Sequence, residues 1–292
     1  MNQEKQTKFA FLMLFAMTLW GLAWTNGKVV NEYTSVPILI FWRFIIGSIP
    51  MIPILKLLKI KILPSKDGLR YIVGGGIFMI GYNVFFFMGT RLGLAGAGGI
   101  LVTTMNPIFT FVFSALLFRQ GVLRKDLLGL VLGFIGGSIM LNIWSMSLSD
   151  ILKSGNAYFI IASLTWAFVT IISSKSKNVI HPLTFSFWIY FISAVIITPF
   201  ALNEPLFEIF TFDFRFWIHF ISISIGSMAI GTSIFFIGAA HLGSGKASAF
   251  IFTVPVTAMG FSMLILGEQL TPNIMIGSLF AMTAVYLITI KK

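Results

Sequence analysis

Long apolar runs repeated along the whole chain constrain its fold more than any other feature. We find ten runs of about 20 mostly apolar residues, the length that one helix needs to cross a hydrocarbon core. Only short connections separate them. The runs cover residues 9–28, 35–57, 69–90, 95–118, 126–144, 155–174, 182–201, 215–238, 245–266 and 273–290. The sequence therefore predicts an all-α polytopic membrane protein with ten transmembrane helices.

The composition excludes several other classes of protein. Of the 292 residues, 57% are hydrophobic and only 10% are charged, against about 25% charged residues in a typical soluble domain. A soluble globule of this size cannot bury so much apolar side chain. The chain has no cysteine, which removes disulfides and thiolate metal sites. We therefore exclude a soluble enzyme, a disordered chain and a secreted disulfide scaffold.

The positive charge is placed as in a membrane protein. A formal net charge of +11 would suggest nucleic acid as the partner of a soluble domain, but here Lys and Arg occupy short loops between apolar runs. With a cytoplasmic N-terminus, the loop lysines and arginines fall on the cytoplasmic side with four exceptions: Lys28, Arg91, Lys153 and Arg215. Because positive loops stay inside, this supports ten helices with both termini cytoplasmic, the lipid bilayer as partner, and no nucleic acid.

The two halves of the chain repeat the same motifs at a nearly constant spacing. The matching positions, 146 to 150 residues apart, are Trp20 and Trp166, Trp42 and Trp188, Gly81–Phe86 and Gly231–Phe236, Leu92-Gly93 and Leu242-Gly243, and Pro107 and Pro255. We therefore divide the chain into a first five-helix repeat, 1–148, and a second, 149–292. Since five is odd, the second repeat must be inverted. Inverted repeats are typical of secondary transporters.

Several short motifs give the chain a specific resemblance. They are Thr18-Leu19-Trp20-Gly21, Phe41-Trp42-Arg43-Phe44, the small-residue runs Gly93–Gly99 and Gly243–Ser248, and Leu266-Gly267-Glu268-Gln269-Leu270. On these motifs the whole chain resembles the EamA-type family of the drug/metabolite transporter superfamily, although Gln120 replaces the Glu of the Leu-Gly-Glu turn in the first half. The resemblance implies two inverted five-helix repeats, a central cavity, a bacterial inner membrane and transport of small metabolites, often export of amino acids or related compounds.

Arg43 is the one formal charge deep inside a predicted span. A charge there costs at least a few kcal/mol unless it is paired or hydrated, so we expect it to face a cavity. Its planar guanidinium suits the two oxygens of a substrate carboxylate. The alternative is a structural arginine that binds carbonyls of a neighbouring helix or extends to the surface.

Other embedded polar and aromatic side chains complete the predicted substrate site. Amides are less easily satisfied by their own helix than hydroxyls are, and tryptophans inside a span lie away from the interface where they usually concentrate. The additional candidates are Trp20, Asn26, Tyr82, Asn83, Asn106 and Trp166. Pro107 and Pro255 occupy matching mid-span positions and predict paired helix breaks that border the cavity. The small-residue steps Gly129, Gly133 and Gly137 indicate helix packing, with a homodimer interface as the alternative.

The sequence predicts a carrier of small amphipathic metabolites. It predicts neither an enzyme nor a cofactor or metal site. A carrier of nucleotide sugars or other anions is the alternative within transport, but it needs several embedded basic residues. An intramembrane transferase needs a nucleophile, acid–base pair or metal ligands at one depth, and a channel needs a continuous polar face. No Asp or Glu lies at mid-membrane, which favours a uniporter or exchanger over proton coupling.

Overall fold

Helices make up almost the whole of the structure. The computed structural model describes residues 3–93, 95–118, 123–145, 147, 149, 155–266 and 271–289, and within these ranges it has no β-strand. The helices of the first half are α1 Gln3–Val30, α2 Val36–Ser48, α3 Met51–Leu57, α4 Lys66–Leu92, α5 Ala95–Phe118 and α6 Arg124–Leu141.

Helices of the second half change type inside two of the long apolar segments. The α-helices are α7 Asn156–Ser176, α8 Pro182–Ala201, α9 Phe214–Ile221, α10 Ser233–Leu242, α11 Ser244–Ala249, α12 Val254–Leu266 and α13 Pro272–Thr289. A π-helix, Ser222–Thr232, joins α9 to α10. A 3₁₀-helix, Phe250–Thr253, joins α11 to α12. Helix α4 and helix α5, at the matching positions of the first half, are α-helical throughout.

The structure agrees with the prediction of many membrane-crossing helices, without establishing the number ten. Among the described residues, eight helical segments are long and apolar enough to cross a membrane, so the prediction of an all-α protein with many membrane-crossing helices is confirmed. The predicted runs 126–144 and 273–290 correspond to α6 and α13, which have 18 residues each and pack along each other. The total of ten spans and the inversion of the second repeat stay predictions.

The second predicted run is not one continuous helix. Helix α2 ends at Ser48, and α3 begins at Met51. Pro50 lies in the break, where it has no N–H to donate and its ring crowds the preceding turn. The two turns at Gln120 and Glu268, where the halves differ from each other, lie outside the described residues.

Polar side chains fix where two of the helices begin. The Nδ1 atom of His181 accepts a hydrogen bond of 3.2 Å from the N–H of Leu183 at the start of α8. The Asp213 carboxylate accepts one of 3.0 Å from the N–H of Phe216 at the start of α9. That bond, together with one from the Tyr33 hydroxyl, holds the pKa of Asp213 below its usual value. Such caps satisfy N–H groups that a helix leaves without partners.

The glycines of α6 pack against other parts of the same chain. A Cβ atom on Gly133 would collide with the ring of Phe252, and one on Gly137 would collide with the side chain of Thr104. Gly129 faces Ile288 of α13 in the same way. These contacts fit the interpretation of the stripe as internal helix packing; the homodimer stays untested.

Candidate functional site

A small cavity lies at the centre of the helix bundle, and we call it the central cavity. It has a volume of about 40 Å³, which holds only a few water molecules. Pockets that hold small organic ligands are about 300 Å³ or larger. Its walls come from both halves of the chain: Trp20, Ala23, Trp24, Arg43, Met79, Tyr82, Asn83, Phe86, Val102, Thr103, Asn106, Trp166, Ser227, Met228, Thr232, Ile251 and Val254. The central cavity is therefore too small, as it stands, to hold a metabolite.

Arg43 is buried in the wall of this cavity and is held by contacts from α4. Its Nη1 atom donates a hydrogen bond of 2.8 Å to Oδ1 of Asn83. Asn83 in turn donates a bond of 2.9 Å to the carbonyl of Met79. The guanidinium carbon lies 5.7 Å from the ring centroid of Phe86 and 5.5 Å from that of Phe87, within the range of a cation–π interaction. One edge of the guanidinium is therefore fixed by protein groups.

Two hydrogen-bond donors in the cavity wall have no partner in the described structure. They are Nε of Arg43 and Nε1 of Trp166, both buried atoms on residues that are 5% exposed. A buried donor without an acceptor costs about 1–3 kcal/mol. An acceptor that enters the cavity would remove this cost. These two atoms are therefore candidates to bind acceptor oxygens of a ligand.

Aromatic rings form the rest of the wall. The rings of Trp20 and Trp166, which occupy matching positions in the two halves, meet edge to face with centroids 5.0 Å apart. Tyr82 lies 4.6 Å from Trp166 between ring centroids. Trp20 also donates a hydrogen bond of 3.2 Å to the carbonyl of Ser227 in the π-helix. Flat apolar walls of this kind suit an amphipathic ligand.

The predicted amide residues do not all lie in the cavity. Asn83 and Asn106 line it, and Asn106 donates a bond of 2.9 Å to the carbonyl of Ser163, which ties α5 to α7. Asn26 is not among the lining residues; its side chain donates a bond of 2.8 Å to Ser222 and lies 2.7 Å from Nδ1 of His219. Its oxygen and nitrogen are thus used to join α1 to the α9–π-helix segment.

The two predicted helix breaks take different forms. Helix α5 continues through Pro107, whereas Pro255 follows a 3₁₀-helix and is the second residue of α12. The residues just before the two prolines, Asn106 and Val254, both line the cavity. The two proline segments border the cavity together, and a gating role for them stays a prediction.

A reciprocal pair of hydrogen bonds, which the sequence does not predict, joins the two halves of the chain. Nε1 of Trp42 donates a bond of 2.7 Å to the carbonyl of Leu206, in the loop before α9. Nε1 of Trp188 donates a bond of 2.7 Å to the carbonyl of Ile62, in the loop before α4. The match between the two tryptophans was visible in the sequence, but the loop carbonyls they bind carry no sequence signal.

Metal binding finds no support in the described part of the chain, where no group of three or more His, Asp or Glu side chains could hold an ion. The cavity wall, as described, also contains no carboxylate and no imidazole. Its chemistry is that of one cation, several hydroxyls and amides, and aromatic rings.

Comparisons with known proteins agree with a transport function. A model of the EamA-like transporter family matches residues 7–142 and 153–290. The uncharacterized transporter YoaV of Bacillus subtilis (strain 168) is 28% identical over 95% of this chain and 96% of its own length. A probable amino-acid metabolite efflux pump of Salmonella typhimurium is 24% identical over 96% of this chain and 94% of its own. A crystal structure at 16% identity has a TM-score of 0.75 and covers 99% of this chain and 97% of that one, which shows that the fold is shared.

Proposed function

Because the chain belongs to the EamA-like transporter family, we propose that it carries small carboxylate-bearing metabolites, such as amino acids and related amphipathic compounds, across the membrane. The direction we propose is export, which the name of the Salmonella relative supports. Similarity to bacterial transporters supports a bacterial inner membrane. The basic loops support cytoplasmic termini.

The observation that carries the substrate class is the pair of unpartnered donors, Nε of Arg43 and Nε1 of Trp166. A carboxylate offers two acceptor oxygens to a guanidinium edge, and charge-assisted bonds of this kind are about twice as strong as neutral ones. Asn83 holds the other side of the guanidinium, so Arg43 is already oriented before a ligand arrives. The aromatic wall would receive the apolar part of the same molecule.

We propose that transport proceeds by alternating access between two inverted five-helix repeats with ten spans in all. The small volume of the central cavity, about 40 Å³, supports the assignment of this structure to a closed state between the two open ones. The reciprocal bonds of Trp42 and Trp188 support matched contacts in the two halves. In such an arrangement, exchange of the two halves' conformations converts one open state into the other.

For energy coupling we propose uniport or exchange. The described wall of the central cavity has no Asp, Glu or His, and proton-driven carriers commonly use such a group inside the membrane. Flux of substrate into proteoliposomes driven by an imposed pH gradient alone would contradict this proposal.

The nucleotide-sugar alternative is less well supported, because Arg43 is the one basic residue in the described cavity wall. A diphosphate would require more positive charge than one guanidinium supplies. The alternative of an intramembrane enzyme is also less well supported, because the family and the names of the relatives indicate transport.

The test is a thermal-shift screen of the purified protein against pairs of ligands that differ only in the carboxylate, for example an amino acid and its decarboxylated amine. A ligand at 100 times its Kd stabilises the native state by about 2.7 kcal/mol. We expect the acid to stabilise the wild type and the amine to do so weakly. Counterflow of the same ligand in proteoliposomes then reports transport.

Two variants make the screen specific, and a third controls for charge. Arg43→Gln should abolish the shift, and Trp166→Phe, which keeps a ring but loses one hydrogen bond, should weaken binding by about two- to tenfold. Arg91→Gln removes an exposed positive charge at the end of α4 and should bind as the wild type does. Equal binding by the amine, or wild-type binding by Arg43→Gln, would overturn the carboxylate proposal.

A further inference from the structure

A second and larger cavity lies at the C-terminal end of α5. It has a volume of about 310 Å³, which is within the range of pockets that hold small organic molecules. Helices α5, α6, α7, α10, α11 and α13 contribute to its wall, together with the residues that follow α7 and α10. We call it the basic vestibule because of Lys175, Lys177 and Lys246 in that wall.

The vestibule has an excess of positive charge. Its three lysines face one carboxylate, Asp126. Within the described part of the chain, no hydrogen bond or ion pair joins any of these lysines to a carboxylate. The ammonium group of Lys175 lies 3.5 Å from the ring centroid of Phe118, so an aromatic face rather than an anion holds it. Oδ1 of Asp126 is buried and has no hydrogen-bond partner, but one carboxylate against three lysines leaves the wall with a net charge of +2, which favours an anionic ligand.

The vestibule and the central cavity share one helix. Helix α5 lines both, with Asn106 in the central cavity and Ser114 in the vestibule. Eight residues separate these two side chains, which corresponds to about 12 Å along the helix. In the wall of the vestibule, the hydroxyls of Ser114 and Ser244 form a hydrogen bond of 2.7 Å that links α5 to α11.

We propose that the basic vestibule is a second binding site, which takes the carboxylate or phosphate group of a small metabolite from the aqueous phase. Its lysines bind the anionic group by charge. The onward passage to Arg43 rests on the proposed transport function, but binding in the vestibule does not depend on it.

The experiment measures how anions protect individual lysines from an amine-reactive reagent. The full chain in nanodiscs of phosphatidylcholine is labelled in the presence of glutarate or inorganic phosphate, and each lysine is quantified by peptide mass spectrometry. We expect millimolar anion to slow the labelling of Lys175, Lys177 and Lys246. Lys66, exposed at the start of α4 and outside the vestibule, should label at an unchanged rate.

Matched variants test whether the lysines act as one site. Lys246→Gln should raise the anion concentration that protects Lys175 by about two- to fivefold, as expected for the loss of one solvent-accessible ion pair. Lys66→Gln removes the same charge elsewhere and should leave that concentration unchanged. Protection should persist in Arg43→Gln, so failure at the central cavity is distinguishable from failure at the vestibule.

Three results would overturn the proposal. The first is absence of protection by either anion, and the second is equal protection of Lys66 and the vestibule lysines. The third is protection by phosphatidylglycerol in the nanodisc without added anion, together with no further effect of glutarate or phosphate. That last result would assign the vestibule to a lipid headgroup instead of a metabolite.

Discussion

The second helices of the two halves carry nearly the same four residues and use them differently. The motifs are Phe-Trp-Arg-Phe at 41–44 and Phe-Trp-Ile-Tyr at 187–190. The tryptophans of both motifs donate hydrogen bonds of 2.7 Å to a loop carbonyl of the other half. What the two motifs share is thus a contact between the halves.

The third residue of the motif differs between the halves. Arg43 lines the central cavity and is bound to Asn83, whereas Ile189 is fully buried and lies next to Gly75 of α4. The position matched to Asn83 is Ser233, which bonds to Met51 and does not line the cavity. The duplicated pattern therefore supplies the scaffold, and the charge and the amide that orients it are found in the first half.

The variant Arg43→Ile gives the first motif the isoleucine of the second. We expect transport and ligand binding to fall by about 30-fold or more, because loss of one partner of a buried charged pair costs about 2–5 kcal/mol. The measurement is counterflow of a carboxylate ligand in proteoliposomes. Ile189→Val, a small change at the matched position, should leave transport near the wild-type rate. Comparable transport losses in both variants would contradict the asymmetry.

A second comparison concerns the matched glycines of α6 and α13, Gly129 and Gly277. A Cβ atom on Gly277 would lie 2.5 Å from the backbone oxygen of Gly136, which cannot move aside. One on Gly129 would lie 2.5 Å from Cγ1 of the Ile288 side chain, and its nearest backbone atom, the oxygen of Ala284, would be 3.1 Å away. We expect Gly277→Ala to destabilise the fold by about 1–3 kcal/mol and Gly129→Ala to cost less. Thermal or denaturant unfolding in detergent measures both; a larger cost for Gly129→Ala would refute the packing argument.

The shared tryptophan bonds allow a test of the proposed inversion. Trp42→Phe and Trp188→Phe should each lower stability by about 1 kcal/mol, the net value of one hydrogen bond. If the halves are inverted copies, the two variants should loosen opposite ends of the molecule. A cysteine introduced at Ala23, in the cavity wall, would be the single thiol of a chain that has none.

The accessibility of that thiol to an impermeant maleimide reports which end opens. We expect faster labelling from one side of the membrane in Trp42→Phe and from the other side in Trp188→Phe. Faster labelling from the same side in both variants would argue against inversion, whatever the change in stability.

The smallest effect concerns the residues that begin the two second helices, Ser35 and His181. Burial, and to a lesser extent the nearby His241, lowers the pKa of His181. Since its folded pKa lies below the usual value of about 6.5, stability is complete above that pH and declines as the pH falls below it. Protonation of Nδ1 would also remove the bond from Leu183.

We therefore expect a small loss of stability between about pH 7.5 and pH 5.5, under about 1 kcal/mol because the imidazole is partly solvated. His181→Asp keeps an acceptor at the start of α8 but does not titrate in this range, so its melting temperature should vary less. An unchanged pH dependence in this variant would exclude His181 as the source. Ser35 has no such titration, so α2 should be insensitive to pH here.

The sequence predicts which polar side chains need a polar partner, because their depth in a predicted span can be counted. Arg43 and Asn83 were expected at the cavity because a polar group in mid-span needs a polar partner, and the structure brings them together. Asn26 met the same criterion but binds His219, 193 residues away in the chain. A local pattern cannot distinguish a partner across the bundle from a cavity, since both satisfy the same amide.

Helix type was also beyond local prediction. The apolar run around Ser222–Thr232 fits an α-helix as well as a π-helix, and the choice depends on tertiary contacts such as the bond from Trp20 to the carbonyl of Ser227. Apolar periodicity reports that a segment is helical and buried. It does not report how many residues each turn contains.

That π-helix has a consequence for how the two halves of the chain can differ in length. Gly81 and Gly231 are matched positions, and the helices that contain or lead to them begin at Lys66 and Phe214. The segment from Phe214 to Gly231 has two more residues than the segment from Lys66 to Gly81. A π-helix closes its hydrogen bonds from residue i to i+5 and so places more residues in each turn. Extra residues can then be accommodated without lengthening the span by a full residue each.

The 3₁₀-helix Phe250–Thr253 has the opposite effect, because it lengthens a segment that has fewer residues. Between Gly243 and Pro255 the second half has two fewer residues than the first has between Gly93 and Pro107. Four residues of 3₁₀-helix rise about 2.0 Å each instead of 1.5 Å, which recovers about 2 Å. Local winding thus adjusts length, so that matched segments with different numbers of residues can span similar distances.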